Sequence, residues 1–386
     1  MPLAFARRWA LLFAAVFALT VPLRYRLLPS PGVALRPWLE AGGRALLGRP
    51  VALFSDSAGL YAWAGLLLAG TALAAGAWVA LGRRSAAGEA RLWYGLHTGA
   101  AGILALQLLI YGFDKVFKHQ FYLPEPNTLC TPLGLLPPDL AYWSVMGASR
   151  SYSVFAGLLE VLPGLLLLWG CTRLLGGLLA LAVLANVLAI NVRFDISVKL
   201  WSGFLLSLAG LVAAPGLRTV YAGLVREQWQ APARPLRPAG WQSRWVGALR
   251  GLLLGALLIE ATGSFLESGS FNDDLVPRPP LHGAYTVQAE GLAPGPGPRR
   301  VFVHRQGYFI TQSAQDSLRS YSLTYAPGRL LLRNEAGRPG QLRYHLDSAG
   351  LHLRGTLGPG DSVRWLARPL PWRRLPLLQP SHWVAD

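Results

Sequence analysis

The chain has 386 residues, enough for two or three soluble domains, but hydrophobic residues make up 52% of it and charged residues 14%, with a mean hydropathy of +0.34. This composition indicates a membrane protein and excludes an ordinary soluble one. The net charge of +17 would suggest nucleic acid as a partner of a soluble chain. The arginines are scattered over predicted loops, however, so we predict contact with anionic lipid and no nucleic-acid partner.

Seven apolar stretches of about 20 residues, the length that crosses a bilayer, follow one another along the chain. They run over Trp9 to Leu23, Gly59 to Leu81, Leu92 to Phe113, Ser153 to Trp169, Leu174 to Val192, Val198 to Ala214 and Trp245 to Leu266. No small-residue cleavage site follows the first stretch, so we interpret it as an uncleaved anchor rather than a signal peptide. The seventh contains Arg250 and Glu260, which must pair or reach the interface, and a short interfacial helix is the alternative there.

The loop arginines predict the orientation of these stretches. With the N-terminus inside, the Arg-rich and Pro-rich segment from Arg218 to Arg244 lies on the cytoplasmic side, as the positive-inside rule requires. Seven crossings then place everything after the last stretch on the outer side of the membrane.

The last part of the chain has a different pattern, which begins after the linker Pro277 to Pro280. Short alternating segments separated by turn residues predict an antiparallel meander or small barrel. The segments are Ala284 to Glu290, Val301 to Thr311, Tyr321 to Tyr325, Leu330 to Asn334, Leu342 to Leu346, Leu351 to Thr356 and Ser362 to Ala367. We therefore predict a membrane domain at 1–275 and a soluble β-rich domain at 276–386. No metal-ligand spacing occurs among its histidines, so no metal site is predicted.

The sequence Phe-Asp-x-x-x-Lys occurs twice, and the two copies contain every lysine of the chain. In a helix or at its end, Asp and Lys four residues apart face each other with the acid nearer the N-terminus, which is the favourable order. Asp114 with Lys118 and Asp195 with Lys199 are the resulting pairs, at the outer ends of the third and sixth stretches. The alternative is that both copies only end helices and anchor them at the headgroups.

Glu160 lies inside the fourth stretch, where a carboxyl group is costly unless it is protonated or paired. Its depth below the outer end of that stretch is roughly 13 Å at the helical rise per residue. Gln107, Asn186 and Asn191 are its predicted neighbours. The carboxyl group either accepts protons or binds a ligand, or it is a neutral acid hydrogen-bonded across helices.

Polar residues come from the outer ends of four successive stretches, which converge in an up-and-down bundle. We therefore predict one polar pocket that opens outward. Its members are Asp114, Lys115, Lys118, His119, Gln120, Ser151, Ser153, Glu160, Asn186, Asn191, Arg193, Asp195 and Lys199. The ligand-binding candidates are Asp114, Lys115, Lys118, Glu160, Asn186, Asn191, Arg193, Asp195 and Lys199, and the catalytic candidates are Glu160, Asp114, Lys118 and Lys199.

A resemblance to a known family covers Tyr111 to Pro215. Five groups of residues match: Tyr111 to Phe121; Met146 to Ser149 with Tyr152; Gly157 to Glu160 with Leu165 to Leu168 and Thr172-Arg173; Asn186-Val187 with Asn191; and Asp195 to Leu200. These features in this order resemble the DoxX family of bacterial membrane proteins. A larger uncharacterised DoxX-like subgroup is also similar from end to end, including Leu281 to Tyr285 and Ser381 to Trp383.

The resemblance implies a four-helix core at about 92–215 with extra transmembrane helices, in the bacterial inner membrane with the β domain on the periplasmic side. A relative serves as a subunit of a thiosulfate:quinone oxidoreductase. It thus implies a redox-associated accessory subunit that binds a quinone or similar molecule, and any enzyme activity would be that of an oxidoreductase subunit with a partner. No cofactor motif for flavin, haem or iron-sulfur is present.

In this first hypothesis Lys118 and Lys199 stabilise negative charge, and Glu160 or Asp114 moves protons. The alternative hypothesis is a non-enzymatic protein for lipid or solute binding, transport or envelope assembly, in which the same pocket holds a lipid or small anion.

Overall fold

The chain folds as long helices followed by a β-barrel, which a computed structural model describes for residues 2–21, 25–27, 30–48, 50–81, 86–228, 244–289 and 297–379. It divides into two units. The membrane unit is Met1–Gln120 with Val154–Phe271, and the barrel unit is Phe121–Ser153 with Asn272–Asp386. The barrel unit thus includes residues 121–153, which the predicted boundary at residue 275 assigned to the membrane domain.

Most of the helix ends lie beyond the ends of the predicted apolar stretches. In chain order they are α1 (Pro2–Thr20), α2 (Pro31–Leu47), α3 (Ala58–Leu81), α4 (Ala86–Val116), α5 (Pro126–Leu129), α6 (Pro138–Ala148), α7 (Arg150–Leu167), α8 (Arg173–Arg193), α9 (Lys199–Arg226) and α10 (Arg244–Ser268). Helices α5 and α6 belong to the barrel unit.

Six of the described helices, α3, α4, α7, α8, α9 and α10, are long and apolar enough to cross a membrane. The chain is therefore a multi-pass membrane protein, as its composition predicts. Within the described part of the chain, six helices meet these limits where about seven spans are expected, because α1 is not among them. That helix has 19 residues and includes Arg7 and Arg8. The predicted side of the β domain depends on an odd number of crossings, so it stays a prediction.

Helix α2 is absent from the predicted elements because its apolar residues are too few to span a bilayer. Its polar residues Arg36, Glu40 and Arg44 recur every four positions, and Arg36 pairs with Glu40 at 2.9 Å. The helix begins at Pro31 and ends before Gly48, whose φ of 64° is the left-handed conformation that commonly ends a helix.

Helix α4 lies at the centre of the membrane unit. Its residues Leu104 and Leu108 pack in a core cluster that also includes Phe17 of α1 and Phe204 of α9. On another side, Leu109 packs against α7 and α10 in a second cluster. The helix that carries the first Phe-Asp-x-x-x-Lys copy is therefore held from several directions.

Two glycines allow α4 and α7 to approach at backbone distance. A Cβ atom on Gly157 would lie 2.5 Å from the Gly112 carbonyl oxygen, and one on Gly112 would lie 2.6 Å from Val161 Cγ2. Larger residues would force the two helices apart. Lys115 and Glu160 each lie three residues after one of these glycines in the sequence, so both are close to the crossing.

The barrel unit contains a closed antiparallel barrel of eight strands in chain order. They are β1 (Gly283–Ala289), β2 (Arg300–His304), β3 (Tyr308–Gln312), β4 (Leu318–Ala326), β5 (Arg329–Arg333), β6 (Pro339–Leu346), β7 (Leu351–Thr356) and β8 (Ser362–Leu370). The predicted antiparallel meander or small barrel is confirmed. One predicted segment, 301–311, is two strands with a turn that contains Gly307 at φ 76°.

The barrel closes because β8 pairs with β1, for example Ala367 with Val287. Its interior is filled by large apolar side chains such as Phe309, Leu330 and Trp365. These apolar side chains alternate along the strands with outward polar residues, which is the two-residue period that the sequence predicts. The last residues, including Ser381 to Trp383 of the resemblance, lie outside the described part of the chain.

Residues 121–153 pack on the barrel within the barrel unit. Leu123 and Leu129 join a cluster with Phe302, Ile310 and Trp372. The side-chain amide of Gln312 donates to the Cys130 carbonyl oxygen at 3.1 Å. This insertion between α4 and α7 therefore packs against β2 and β3 of the barrel.

Candidate functional site

Lys115 and Glu160 form a buried ion pair in the membrane unit. Lys115 Nζ lies 2.7 Å from Glu160 Oε2, and the two side chains are 10% and 5% exposed. The pair joins α4 and α7 close to their crossing at Gly112 and Gly157. The Glu160 carboxyl therefore has a cationic partner, although the predicted neighbours were the amides of Gln107, Asn186 and Asn191.

The second Phe-Asp-x-x-x-Lys copy forms its predicted pair in a turn that leads into α9. Lys199 Nζ lies 2.7 Å from Asp195 Oδ1, with Asp195 81% exposed. Asp195 has φ of 52°, so the pair does not lie on a continuous helix. An exposed pair of this kind contributes little to stability.

Asp56, a residue that the sequence analysis does not single out, caps the start of α9. Its carboxylate accepts the backbone N–H groups of Lys199 at 2.8 Å and Leu200 at 3.0 Å. Its distance to Lys199 Nζ is 3.7 Å. Because Asp56 is 143 residues away from Lys199 along the chain, no local pattern indicates the cap.

We expect Asp56→Ala to lower the free energy of unfolding by about 1–2 kcal/mol, because two helix-terminal N–H groups lose their acceptor. Asp56→Asn keeps an oxygen acceptor and should cost less. Equilibrium unfolding of the full chain in mixed micelles measures both. Equal stability of wild type and Asp56→Ala would show that the cap has no energetic role.

Asp114 lines a cavity of about 390 Å³ in the membrane unit. The polar lining includes Tyr25, Arg26 and Glu260, and the apolar lining includes Ile110 and Phe265. Among the described residues, the Asp114 carboxylate accepts no hydrogen bond. It interacts electrostatically with Lys115, His119 and Glu160. A carboxylate acceptor thus faces a cavity beside the buried ion pair.

Tyr25 supplies a hydrogen-bond donor to the same cavity. Its hydroxyl accepts from the Gln107 amide at 2.8 Å, so its own proton is available to another acceptor. Burial raises the pKa of Tyr25, and the nearby Tyr111 and Glu260 act in the same direction. The phenol therefore stays neutral and can donate.

Glu260, which the sequence analysis expects to pair or reach the interface, is held by backbone groups. Its carboxylate accepts from the N–H groups of Arg26 and Leu27. The Arg26 side chain pairs with Glu267 and lies across α10 at Gly263, where a Cβ atom would be 3.1 Å from its Nε. These contacts fix the chain segment that carries Tyr25.

The remaining predicted site residues lie at varied depths. Lys118 is buried at φ 60°, just after the end of α4, and Asn191 is buried at the end of α8. His119 Nε2 lies 3.1 Å from the Ser270 carbonyl oxygen. Asn186 and Arg193 are exposed on α8. The residues around Asp114 and Glu160 form the candidate site, and the Lys199 group forms a separate cluster.

The barrel unit has its own buried charged cluster, which sequence reasoning missed. Glu125, in the insertion, lies 2.9 Å from His282 Nε2, 3.9 Å from His304 Nε2 and 3.5 Å from Arg305 Nε. Arg305 also pairs with Asp273. The partners come from distant parts of the chain, so the sequence contains no spacing that signals the cluster. It ties the insertion to the barrel.

We expect the barrel unit to lose stability as pH falls below about 6.5, through His304. Burial lowers the pKa of His304 and outweighs the opposite effect of the Glu125 charge, which raises it. Arg305 and His282 lower the pKa further. The unfolded state therefore takes up the proton at a higher pH than the folded state does. The free energy of unfolding falls by at most about 1.4 kcal/mol per pH unit as a result. Burial raises the pKa of Glu125, but the hydrogen bond from His282 and the charges of the two histidines outweigh burial, and the pKa is lowered. The contribution of Glu125 to stability is therefore lost only at more acidic pH.

Unfolding midpoints of the barrel unit at pH 7.5 and 5.5 measure this effect, and His304→Gln is the control that should flatten the dependence. The same slope in wild type and His304→Gln would assign the pH dependence to other groups.

Comparisons with known proteins add one partial similarity. No family model matches the chain, and no solved structure matches it. The uncharacterized protein YwoB of Bacillus subtilis strain 168 is 30% identical over 105 residues, which cover 25% of this chain and 60% of the relative. The chain thus spans less than two thirds of that relative's length. The description of the relative names no activity.

Proposed function

We propose that the chain is a DoxX-like protein of the bacterial inner membrane whose cavity at Asp114 binds the headgroup of a quinone. It would serve as an accessory subunit of a redox system. The observation that supports this best is the pairing of an unoccupied acceptor, the Asp114 carboxylate, with a neutral donor, the Tyr25 hydroxyl, on one cavity.

A quinone headgroup has the chemistry that this pairing would complement. Its carbonyl oxygen accepts from a donor such as Tyr25, and the hydroxyl of its reduced form donates to a carboxylate such as Asp114. Ile110 and Phe265 supply apolar contact for the ring. Hydrogen bonds to a charged acceptor contribute about 1.5–3 kcal/mol.

The Lys115 and Glu160 pair has a positioning role in this proposal. Lys115 interacts electrostatically with Asp114 and so places a positive charge beside the carboxyl group that lines the cavity. Proton transfer from a bound quinol to Asp114 is the step that these residues would assist. Electron transfer belongs to a partner protein.

A lipid headgroup with hydroxyl or ammonium donors is the second candidate ligand, because Asp114 and Glu260 place two carboxylates on the cavity. This is the non-enzymatic alternative, in which the chain holds or presents a lipid. The two ligands differ in their interaction with Tyr25. A quinone carbonyl accepts a hydrogen bond from the Tyr25 hydroxyl, whereas a lipid ammonium group is itself a donor and accepts none.

Titration of the purified full chain with short-tail quinone and quinol analogues tests the proposal, with tryptophan fluorescence as the readout. We expect Asp114→Asn to weaken quinol binding about 10-fold or more and Tyr25→Phe to weaken quinone binding about 5- to 10-fold. Lys199→Ala, in the separate cluster, is the matched control and should bind as wild type does.

Failure of either analogue to bind would contradict the quinone proposal, as would Asp114→Asn binding that equals wild type. Saturable binding of an aminolipid in its place, lost in Asp114→Asn and unchanged in Tyr25→Phe, would support the lipid alternative.

A further inference from the structure

Helix α2 has one exposed side that consists of apolar residues. These residues recur at intervals of three and four, which places them on one side of an α-helix. Trp38 is 79% exposed and Leu35 is 41% exposed. We call this set the α2 face, and its members are Ala34, Leu35, Trp38, Ala41, Gly42 and Ala45. A helix side of this composition would be costly to keep in water.

The charged residues Arg36 and Glu40 lie on another side of α2 and contact the chain itself. The Glu40 carboxylate accepts from the Leu53 backbone N–H at 3.0 Å and pairs with Arg36 at 2.9 Å. The Arg36 guanidinium lies over the Phe54 ring, 5.7 Å from the ring centroid. A rotation of the helix that hid the α2 face would break these contacts.

The start of α2 is held by contacts with the end of α1. The Ser30 hydroxyl, just before the helix, donates to the Val21 carbonyl oxygen at 2.8 Å. A Cβ atom on Gly32 would lie 2.3 Å from the Thr20 carbonyl oxygen, so a glycine is required where the two helices meet. The orientation that turns the α2 face outward is therefore fixed by several contacts of the helix.

Helix α2 lies beside the beginning of a spanning helix. Leu53, which donates to Glu40, comes shortly before Ala58, the first residue of α3. Helix α3 is long and apolar enough to cross a membrane, and its Leu66 is 64% exposed. The end of a spanning helix lies at the level of the lipid headgroups. Helix α2 is therefore near this level, and its charged residues make it unsuited to cross the bilayer.

The composition of the α2 face favours lipid over a protein partner. Protein interfaces contain about one hydrogen bond per 100–200 Å², whereas the Trp38 indole is the only polar side-chain group of this face. Tryptophan is enriched at membrane–water interfaces, where its ring is in apolar surroundings and its N–H reaches the headgroups. Arg44, in the last turn, is exposed at the edge of the face, where an arginine can extend to lipid phosphates.

We propose that α2 is an interfacial helix whose α2 face lies on the acyl chains of one leaflet, with Trp38 at the headgroup level. A helix of this kind lies in the plane of the membrane surface, with its apolar side about 5–10 Å deep in the boundary between headgroups and acyl chains. The inference rests on the membrane-spanning character of the chain and uses no residue of the cavity at Asp114. It is therefore independent of the quinone proposal.

Spin-label accessibility in the full chain, reconstituted in phospholipid vesicles, tests the inference. A nitroxide is attached at Ala41→Cys in a background of Cys130→Ser and Cys171→Ser. Its collisions with oxygen, which concentrates in lipid, are compared with its collisions with a water-soluble nickel chelate. We expect the label to lie about 5–10 Å below the headgroup level. Leu66→Cys on α3 is the lipid reference, and Arg319→Cys on the exposed side of β4 is the water reference.

Arg44→Cys is the matched control on α2 itself. Its label should lie nearer to water than the label at Ala41, because Arg44 is at the edge of the α2 face. Ala34→Cys and Ala45→Cys repeat the measurement at two other points of the face, so one variant that fails to fold leaves the test complete. Gel filtration and circular dichroism of each labelled variant identify the variants that fold as the wild type does.

Two results would overturn the inference. A label at Ala41 that the nickel chelate reaches as readily as the label at Arg319 would show that the α2 face is open to water. A label that neither reagent reaches would show that protein covers the face, either a second copy of this chain or another subunit. Quinone binding does not enter this measurement, so the two proposals fail separately.

Discussion

Replacement of Glu160 by leucine is expected to lower the free energy of unfolding of the membrane unit by about 3–5 kcal/mol. The Lys115 ammonium group would stay buried and would lose the carboxylate that lies 2.7 Å from it. Equilibrium unfolding of the full chain in mixed micelles measures the loss. Asp195→Asn is the matched control, because it removes an acid from an exposed lysine pair and should cost less than about 1 kcal/mol.

The double variant Lys115→Met with Glu160→Leu separates the ion pair from packing. Replacing both partners by apolar residues of similar volume is often neutral, so we expect stability within about 2 kcal/mol of the wild type. If the double variant is as unstable as Glu160→Leu, the loss arises from the side-chain volume at the helix crossing rather than from the unpaired charge.

Replacement of Glu125 by alanine is expected to destabilise the barrel unit by about 3–5 kcal/mol. The carboxylate is the shared partner of His282 and Arg305 and lies near His304. Its loss leaves two buried imidazoles and the Arg305 guanidinium without their shared acceptor and releases the insertion at residues 121–153. Hydrogen exchange of the barrel strands reports the change in that unit alone.

Two controls sharpen the Glu125 prediction. Glu125→Gln keeps an acceptor for His282 and should cost less than the alanine variant. Glu335→Gln, an exposed acid in the turn between β5 and β6, should change stability by less than about 0.5 kcal/mol. Unaltered protection of β1 and β2 in Glu125→Ala would mean that the cluster does not hold the insertion to the barrel.

The sequence predicts the elements whose pattern is local. Apolar length predicts the spanning helices, and alternation with turn residues predicts the strands, because bilayer thickness and strand pleat act on neighbouring residues. Apolar length does not predict helix α2, because this helix is short and polar on one side. The split of 301–311 into two strands depends on a turn at Gly307 within a continuous apolar pattern.

Contacts between distant residues account for what the sequence analysis missed at the site. The spacing predicts Asp195 with Lys199, and the structure has that pair. The partner of Glu160 depends on where α4 and α7 cross, which Gly112 and Gly157 determine only in three dimensions. Tyr25 lies in a connecting segment, and nothing in its local sequence indicates that it faces the same cavity as Asp114.

Native mass spectrometry of the full chain, released from a mild detergent, tests the proposed function most directly. We expect a copurifying quinone or quinol in the wild type and in Lys199→Ala, and at least about 5-fold less of it in Asp114→Asn and Tyr25→Phe. Retention of the same molecule by Asp114→Asn at the wild-type level, or the absence of any quinone from the wild type, would contradict it.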